Sequence, residues 1–297
     1  MRSHFKGILY ILLSATGFGL TPVFGKMAFQ ANVSIETLLF LRFLVAFICL
    51  SIYLLIKERN LYPSRDHFWI LVLLGFLYYA QTTLYFTSLK HIIATLAVML
   101  LYLYPVFVMV LSLIFEKRSA TKGMISALIL SLVGIGTLLG IPTGKIDIYG
   151  VILAISSALA YAIYVMVGKR LIIQLTPVVT STWIIFFTML AFLLSGTFTQ
   201  HLQFQFSTKG WIAVTALALF STVVSFWSFF AGMKFIGSTR ASIVSTFEPI
   251  VTTVCAVMLL DESINLAKIF GVSLVITSVI LLILLERDKQ VKRRTVS

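Results

Sequence analysis

The stretch Gly7–Lys26, GILYILLSATGFGLTPVFGK, has a second version of itself 143 residues later, GVILAISSALAYAIYVMVGK, at Gly150–Lys169. A further correspondence, at an offset of 144, aligns identical residues that include Pro105 with Pro249. Internal repetition of an apolar unit is typical of transporters built from two structural repeats. The sequence therefore predicts one repeat over residues 1–144 and a second over 145–297.

The composition around these stretches is that of a membrane protein. Hydrophobic residues make up 60% of the chain and charged residues 11%, and the mean hydropathy is +1.05. Soluble domains contain about 45–50% apolar and about 25% charged residues. The net charge of +13 comes from basic residues in short segments between apolar runs, which is typical of topology signals and not of nucleic-acid binding.

Ten apolar runs are long enough to cross a hydrocarbon core of about 30 Å as helices. We predict an all-α membrane protein whose spans 1 to 10 are 7–28, 35–56, 67–89, 92–115, 122–141, 149–168, 177–198, 209–233, 239–260 and 266–285. Each repeat contains an odd number of spans, so the second enters the membrane from the opposite side. The repeats are therefore expected to be inverted around a central cavity.

The distribution of Lys and Arg predicts the orientation. Seventeen lie at the N-terminus, in every second connection and in the C-terminal tail, whereas five lie on the opposite side and Arg42 lies within a span. Because basic residues are enriched in cytoplasmic segments, we expect both termini in the cytoplasm.

Each repeat contains a set of recognisable motifs. In the second repeat they are AGMKFIGSTRAS at 231–242, the Glu248-Pro249 pair, Glu262 and Gly271. In the first repeat, YFTSLKHIIATLAVMLLYLYPVF at 85–107, followed by Glu116, is similar to the same element, and LRFLVAF surrounds Arg42. Together these motifs resemble the EamA family of the drug/metabolite transporter superfamily, with LRFLVAF similar to the family's second helix.

The resemblance implies a ten-helix bundle in which helices 1, 3, 4, 6, 8 and 9 surround a cavity. It also implies export of small metabolites, often amino acids, or of toxic compounds, across the inner membrane of a bacterium. The halves differ at one informative position, because Tyr104 stands where the second repeat has Glu248. We therefore expect a chemically asymmetric site.

Glu248 is the first candidate for handling substrate or protons. It lies about nine residues into span 9, close to mid-bilayer, where a carboxylate is costly and should face a cavity or a partner. Such a carboxylate can exchange a proton during transport. The structural alternative is a hydrogen-bond acceptor beside Pro249, which, like Pro105, is expected to kink its helix.

Aromatic and polar residues on the cavity helices are the other candidates for substrate binding. Tyr78, Gln81 and Tyr85 share one face of span 3 by their spacing. Rings with polar tips suit a mostly apolar pocket, although many aromatic residues of this chain will pack or face lipid. The remaining candidates on the other cavity helices are Tyr102, Tyr161, Trp227 and Ser245.

Two further features have competing interpretations. Arg42 is predicted to snorkel or to form a structural pair, with pairing to a functional carboxylate as the alternative. The small residues Ala15–Gly19 and Ala158–Ala162 favour close backbone approach, so spans 1 and 6 are expected to cross tightly.

The leading hypothesis is a secondary carrier that exports a small organic solute by alternating access. Uptake or passive facilitation of the same solutes is the alternative within transport, and an ion channel is the alternative outside it. Neither a GxxxxGK[ST] loop nor a His cluster within a span is present, so we expect no ATP-driven pump, enzyme, cofactor or metal site. The expected partners are the solute and the lipid bilayer, and a monomer is favoured over a homodimer.

Overall fold

The computed structural model describes residues 2–57, 63–116, 121–140, 147–172, 174–200, 202–260 and 266–295. Glu262, one of the residues that carried the family resemblance, lies outside these ranges, as do the last two residues of the basic tail. Within the described ranges every regular element is helical, which confirms the all-α expectation.

The helices follow the predicted spans closely. Eight helical runs of the described chain are long and apolar enough to cross a membrane, and the runs over 238–260 and 266–295 bring the number to ten. The elements are α1 (Arg2–Gly19), α2 (Thr21–Gln30), α3 (Ile35–Lys57), α4 (Arg65–Ser88), α5 (Ala94–Leu101), α6 (Tyr104–Glu116), α7 (Lys122–Leu139), α8 (Ile148–Leu171), α9 (Pro177–Phe198), α10 (Thr208–Ala218), a π-helical segment (Leu219–Val224), α11 (Ser225–Ile236), α12 (Ser238–Ser245), α13 (Glu248–Leu260) and α14 (Leu266–Thr295).

Four spans are interrupted, and in spans 4 and 9 the interruption lies beside Pro105 and Pro249, which were expected to kink these helices. Span 1 breaks at Leu20, just before Pro22, and span 8 passes through the π-helical segment. Spans 4 and 9 break at 102–103 and 246–247, in each case just ahead of a Tyr-Pro or Glu-Pro pair. Because proline has no N–H, it disrupts a continuous helix but is tolerated in the first turn of a new one.

The two halves of the chain are packed into each other. The most extensive helix contacts join α7 to α14, α1 to α11, α4 to α8 and α3 to α9, and each joins a first-half helix to a second-half helix. The pairs α1–α11 and α4–α8 are counterparts, because each joins the first span of one half to the third span of the other. Each half therefore packs extensively against the other.

Some individual contacts occur twice: a first-half residue contacts the second half, and its second-half equivalent makes the same contact with the first half. The Ser14 hydroxyl donates to the Ser225 carbonyl at 2.8 Å, and the equivalent Ser157 hydroxyl donates to the Gln81 carbonyl at 2.9 Å. Likewise Gly7 lies against Phe235 and Ile236, whereas the equivalent Gly150 lies against His91 and Ile92, which are their counterparts at the offset of 144. At these positions the sequence repeat corresponds to a repeat of tertiary contacts.

The predicted tight crossing of spans 1 and 6 is wrong. The small residues of α1 instead allow it to approach the second half at span 8 and span 9. A methyl group on Gly17 would lie 2.5 Å from the Phe220 carbonyl oxygen, and one on Gly19 would lie 2.8 Å from that of Glu248. Close approach was the correct interpretation of these residues, but the pattern of small residues does not identify the partner helix.

Candidate functional site

The centre of the site is formed by the two broken spans. In each of them a short helix, α5 or α12, ends, two residues form a turn, and a second helix begins with an X-Pro pair. Tyr104 is thus the first residue of α6, and Glu248 is the first residue of α13. The partial positive charge of a helix N-terminus favours an anionic side chain in this position.

Glu248 lies where α1 meets α13. The Thr252 hydroxyl donates to the Gly19 carbonyl at 2.9 Å and approaches the Glu248 carbonyl at 3.3 Å, so the end of α1 is held against the first turn of α13. The side chain of Glu248 is half-buried, and Ser245, the last residue of α12, is buried. The Tyr104 hydroxyl donates to the Ser242 carbonyl at 3.3 Å, which places the start of α6 against α12.

Aromatic rings from both halves of the chain meet next to the helix break that precedes Tyr104. Tyr78 contacts Phe226 at 4.9 Å between ring centroids, Tyr164 at 5.3 Å and Tyr161 at 6.4 Å. Tyr161 in turn contacts Tyr104 at 4.7 Å. Most of these contacts are edge-to-face, which is a favourable arrangement for aromatic rings.

We call this set the aromatic cluster and define it as Phe43, Tyr78, Tyr102, Tyr104, Tyr161, Tyr164 and Phe226, since Phe43 contacts Tyr78 and Tyr102 contacts Tyr104. The cluster includes three of the predicted binding residues, Tyr78, Tyr102 and Tyr161. Five spans contribute its rings, three from the first half and two from the second, so any relative movement of these helices changes the shape of the cluster.

The other predicted binding residues have different surroundings. The Gln81 amide donates to the Ser157 hydroxyl at 3.3 Å, so this side chain joins α4 to α8. Tyr85 is half-buried and its ring contacts Phe86. Trp227 lies against Tyr10 of α1, with 5.5 Å between the ring centroids, outside the contacts of the aromatic cluster. Geometry thus places Gln81 and Trp227 in helix packing.

Arg42 was not among the residues predicted from the sequence to bind substrate. Its side chain is buried, so the predicted snorkelling is wrong, and its two described hydrogen bonds are to uncharged groups. Nε donates to the Thr222 hydroxyl at 2.6 Å and Nη2 donates to the Ser221 carbonyl at 2.8 Å. Both acceptors belong to the π-helical segment, whose altered hydrogen bonding makes such a carbonyl accessible.

The remaining members of the site had only weak signals in the sequence. Tyr164 follows Tyr161 by three residues and therefore lies on the same helical face, which could have identified it. Phe43 and Phe226 are indistinguishable in the sequence from the many other phenylalanines of the spans. Their place in the cluster follows from tertiary packing alone.

A separate cavity of about 110 Å³ lies where α6 and α8 end and α12 begins. Its walls include Glu116 and Lys169, which form an ion pair between the first and the second half of the chain. Gly237, at a φ of 80° that favours glycine, makes the turn from α11 to α12 beside this cavity. By the order of the spans, the ion pair lies at the face of the bundle where the chain begins.

Comparison with known families gives matches over nearly the whole chain. The profile of the EamA-like transporter family matches residues 5–140 and again residues 148–284. An uncharacterized transporter of Synechocystis sp., sll1319, is 30% identical over 74% of this chain and 68% of its own length. The uncharacterized inner membrane transporter YicL of Salmonella typhimurium is 28% identical over 97% of this chain and 99% of its own.

A similar fold is also found among solved structures. One crystal structure superposes with a TM-score of 0.83 over 95% of this chain and 98% of the other chain. The sequence identity of that pair is 18%, so the likeness concerns the fold alone.

Proposed function

Because the chain belongs to the EamA-like transporter family, a family of multi-pass membrane transporters, we propose that it is a secondary carrier of the bacterial inner membrane. Its substrates are small organic metabolites, namely amino acids or related solutes, with drugs as a further class, and its direction is export. Both termini lie in the cytoplasm, as the excess of basic residues on that side supports. The carrier works as a monomer, since two fused repeats supply a complete pathway.

Inverted repeats provide alternating access by exchanging conformations. The exchanged contacts of Ser14 and Ser157, and of Gly7 and Gly150, support such a relation between residues 1–144 and 145–297. Because the halves interdigitate, the moving units are mixed bundles. One contains spans 3, 4 and 6, and the other contains spans 1, 8 and 9, which are the spans that contact one another.

The observation that carries the proposal is the position of Glu248. It is a half-buried carboxylate at a break in a transmembrane helix, next to the aromatic cluster, and its counterpart Tyr104 has no charge. Broken helices whose ends face a central site are typical binding elements of secondary transporters. We propose that Glu248 binds the substrate and exchanges a proton, which couples export to the proton gradient.

The test uses Glu248→Gln, with Glu36→Gln in the first turn of α3 as the matched control. Cells that overproduce the wild-type chain are expected to accumulate at least one metabolite in the medium, and Glu248→Gln is expected to abolish this accumulation while Glu36→Gln preserves it. Flux is then measured in proteoliposomes with an imposed pH gradient, which shows whether transport is coupled to protons. Flux that responds to the gradient equally in wild type and Glu248→Gln would remove Glu248 from the mechanism.

The same vesicles decide the direction of transport. Export against a concentration gradient, driven by the pH gradient, supports the proposal. Equilibration without accumulation would indicate a passive facilitator, and a flux that does not saturate with solute concentration would indicate a channel.

A further inference from the structure

The contacts inside each of the two proposed moving units occur twice. Ser14 of span 1 donates to Ser225 of span 8, and its counterpart Ser157 of span 6 donates to Gln81 of span 3. Both pairs lie within one unit, since spans 1 and 8 belong to one unit and spans 3 and 6 to the other. If the two units also met in the same way at both faces, the contacts between them would occur twice as well.

The contacts between the units differ at the ends of spans 1 and 6. A methyl group on Gly168 of span 6 would lie 2.8 Å from Cε1 of Phe230 in span 8. The corresponding residues are Gly25 of span 1, at the offset of 143, and Phe86 of span 3, at the offset of 144. Among the described residues, no atom lies within 4 Å of the same point on Gly25. The two units therefore touch at Gly168 and are apart at Gly25.

The burial of neighbouring residues shows the same difference. Phe230 is fully buried, whereas Phe86 is half-buried. Residues 242–245 of α12 are all buried, whereas their counterparts 98–101 of α5 are all half-buried. Counterparts in inverted repeats lie at equal depths from opposite faces, so depth in the membrane does not account for this difference. It reflects how closely the two units approach each other at each face.

The helix α12 joins the units at the face where the chain begins. It packs against α6 and α8, which belong to the other unit. The Tyr104 hydroxyl donates to the Ser242 carbonyl at 3.3 Å, and the Ser238 hydroxyl lies 3.4 Å from the sulfur of Met166. The structure is thus closed between the units at this face and open at the opposite face.

We infer that Gly25 and Phe86 form a gate, which is open in this structure and closes in the second state of the proposed carrier. In that state Phe86 packs against Gly25 and Phe230 moves away from Gly168, so the two faces exchange their conformations. This inference rests on the proposed function, because it uses the second state that a carrier needs. It also explains why position 25 has no side chain although this structure leaves room for one.

A methyl group at position 25 distinguishes the two states. In this structure it meets no atom of the described chain, and alanine favours a helix, so Gly25→Ala should keep or raise the melting temperature. In the second state the methyl group overlaps the Phe86 ring, as one on Gly168 would overlap Phe230 here. The variant is therefore stable but transports slowly, a combination that a purely structural role of Gly25 would not produce.

The first measurement is the export of metabolites by cells that overproduce the full chain. Gly25→Ala is expected to slow export by about threefold and Gly25→Leu by about tenfold or more, since a larger side chain overpacks the closed gate more strongly. The control is Gly136→Ala in α7, where the nearest atom to the added methyl group is Cε of Met99 at 3.9 Å. This control is expected to export at the wild-type rate.

The second measurement is cross-linking in membranes by a short bifunctional thiol reagent, in a chain whose two cysteines, Cys49 and Cys255, are replaced by serine. Three pairs of cysteines are introduced: Gly168→Cys with Phe230→Cys, Gly25→Cys with Phe86→Cys, and Phe24→Cys with Phe220→Cys. The third pair is the control, because the rings of Phe24 and Phe220 stack at 6.4 Å within one unit. All three pairs are expected to cross-link, since the carrier visits both states. The first two cross-links should block export, and the control cross-link should preserve it.

The outcomes separate the gate from the carrier. If positions 25 and 86 do not cross-link in a chain that exports and whose control pair cross-links, the gate is refuted and the carrier proposal stands. Export by Gly25→Leu at the wild-type rate has the same meaning, and if that variant does not fold, Gly25→Ala decides. A wild-type chain that exports no metabolite, although both gate pairs cross-link, would refute the carrier and leave the two states standing.

Discussion

Gly17 is located at one of the closest helix contacts of the molecule. A methyl group in its place would lie 2.1 Å from the Ser225 hydroxyl and 2.5 Å from the Phe220 carbonyl oxygen, both in or next to the π-helical segment. Gly25, in the same span, has nothing within 4 Å of that point. The two glycines therefore form a natural test of how tightly α1 is packed.

Gly17→Ala is expected to destabilise the protein by about 1–3 kcal/mol, because backbone atoms must move to accept the methyl group. Gly25→Ala is expected to be neutral or to stabilise by up to about 1 kcal/mol, because alanine favours helix. Thermal unfolding in a defined detergent measures both. Equal melting temperatures for the two variants would mean that α1 and the π-helical segment are not in tight contact.

At the residue scale, the sequence points to a candidate only where the chemistry of a side chain is unusual for its environment. Glu248 is a candidate because a carboxylate in mid-span is costly wherever its partners lie. Gln81 could not be assigned in this way, because its bond to Ser157 depends on a helix 76 positions away. The same limit applied to Arg42, whose acceptors in the π-helical segment belong to a distortion with no local sequence signal.

At the level of elements, the ion pair of Glu116 and Lys169 joins the ends of α6 and α8. It lines the cavity at that face and lies between spans from different halves. Its side chains are mostly buried, with 20% and 15% exposed, so salt screens the two charges less than it screens a surface pair. If the two helix ends separate at that face, this contact breaks.

The charge reversals Glu116→Lys and Lys169→Glu are each expected to lower the melting temperature and the flux, because like charges then face each other. The double exchange is expected to restore most of both, with a coupling energy of about 1–3 kcal/mol between the sites. The melting temperature and the flux are measured for the wild type, the two single variants and the double exchange, which completes the double-mutant cycle. A double exchange whose melting temperature and flux are no higher than those of the single variants would argue against a direct pair.

The start of α8 is held by a cap at the opposite face. Asp147 accepts from the Tyr149 N–H at 2.9 Å and bonds to His91 at 2.9 Å, next to the start of α5. The Tyr149 N–H, followed by His91, lowers the pKa of the Asp147 carboxyl below its usual range. The cap thus connects the second half of the chain to the first.

A lowered pKa in the folded state means that the ionised carboxylate stabilises the fold above its unfolded pKa. This stabilisation is lost as the pH falls through the folded-state pKa. Asp147→Ala should therefore melt below wild type at pH 7, and the difference should shrink steadily below about pH 4. A difference in melting temperature that does not change with pH would show that ionisation of Asp147 has no part in it.

For the molecule as a whole, the ten spans and the all-helical fold were predictable because each span must be apolar for its full length. Which spans pack against each other was not predictable, since a span that is apolar on every face carries little information about its neighbours. The contacts of α1 with α11 and of α4 with α8 are set by small residues and single hydroxyls spread over both halves.

Residues 1–144 and 145–297, produced as two separate chains in the same cell, are expected to assemble into a functional complex. Each chain alone should be degraded or aggregated, because it lacks the surfaces that cover α1, α4, α8 and α11. Affinity purification through a tag on one chain, followed by a flux assay, measures assembly. A first half that is stable and monodisperse by itself would contradict the interdigitated packing.

The interdigitation also constrains how the protein is made. The surface of α1 that meets α11, and the surface of α4 that meets α8, are complete and in the bilayer long before the ribosome reaches their partners. During that interval Ser14 and the carbonyl of Gln81 face lipid or temporary neighbours, which makes the nascent first half a client for membrane chaperones or quality-control proteases. A pause in translation near residue 144 would therefore cost far more yield than one near the C-terminus.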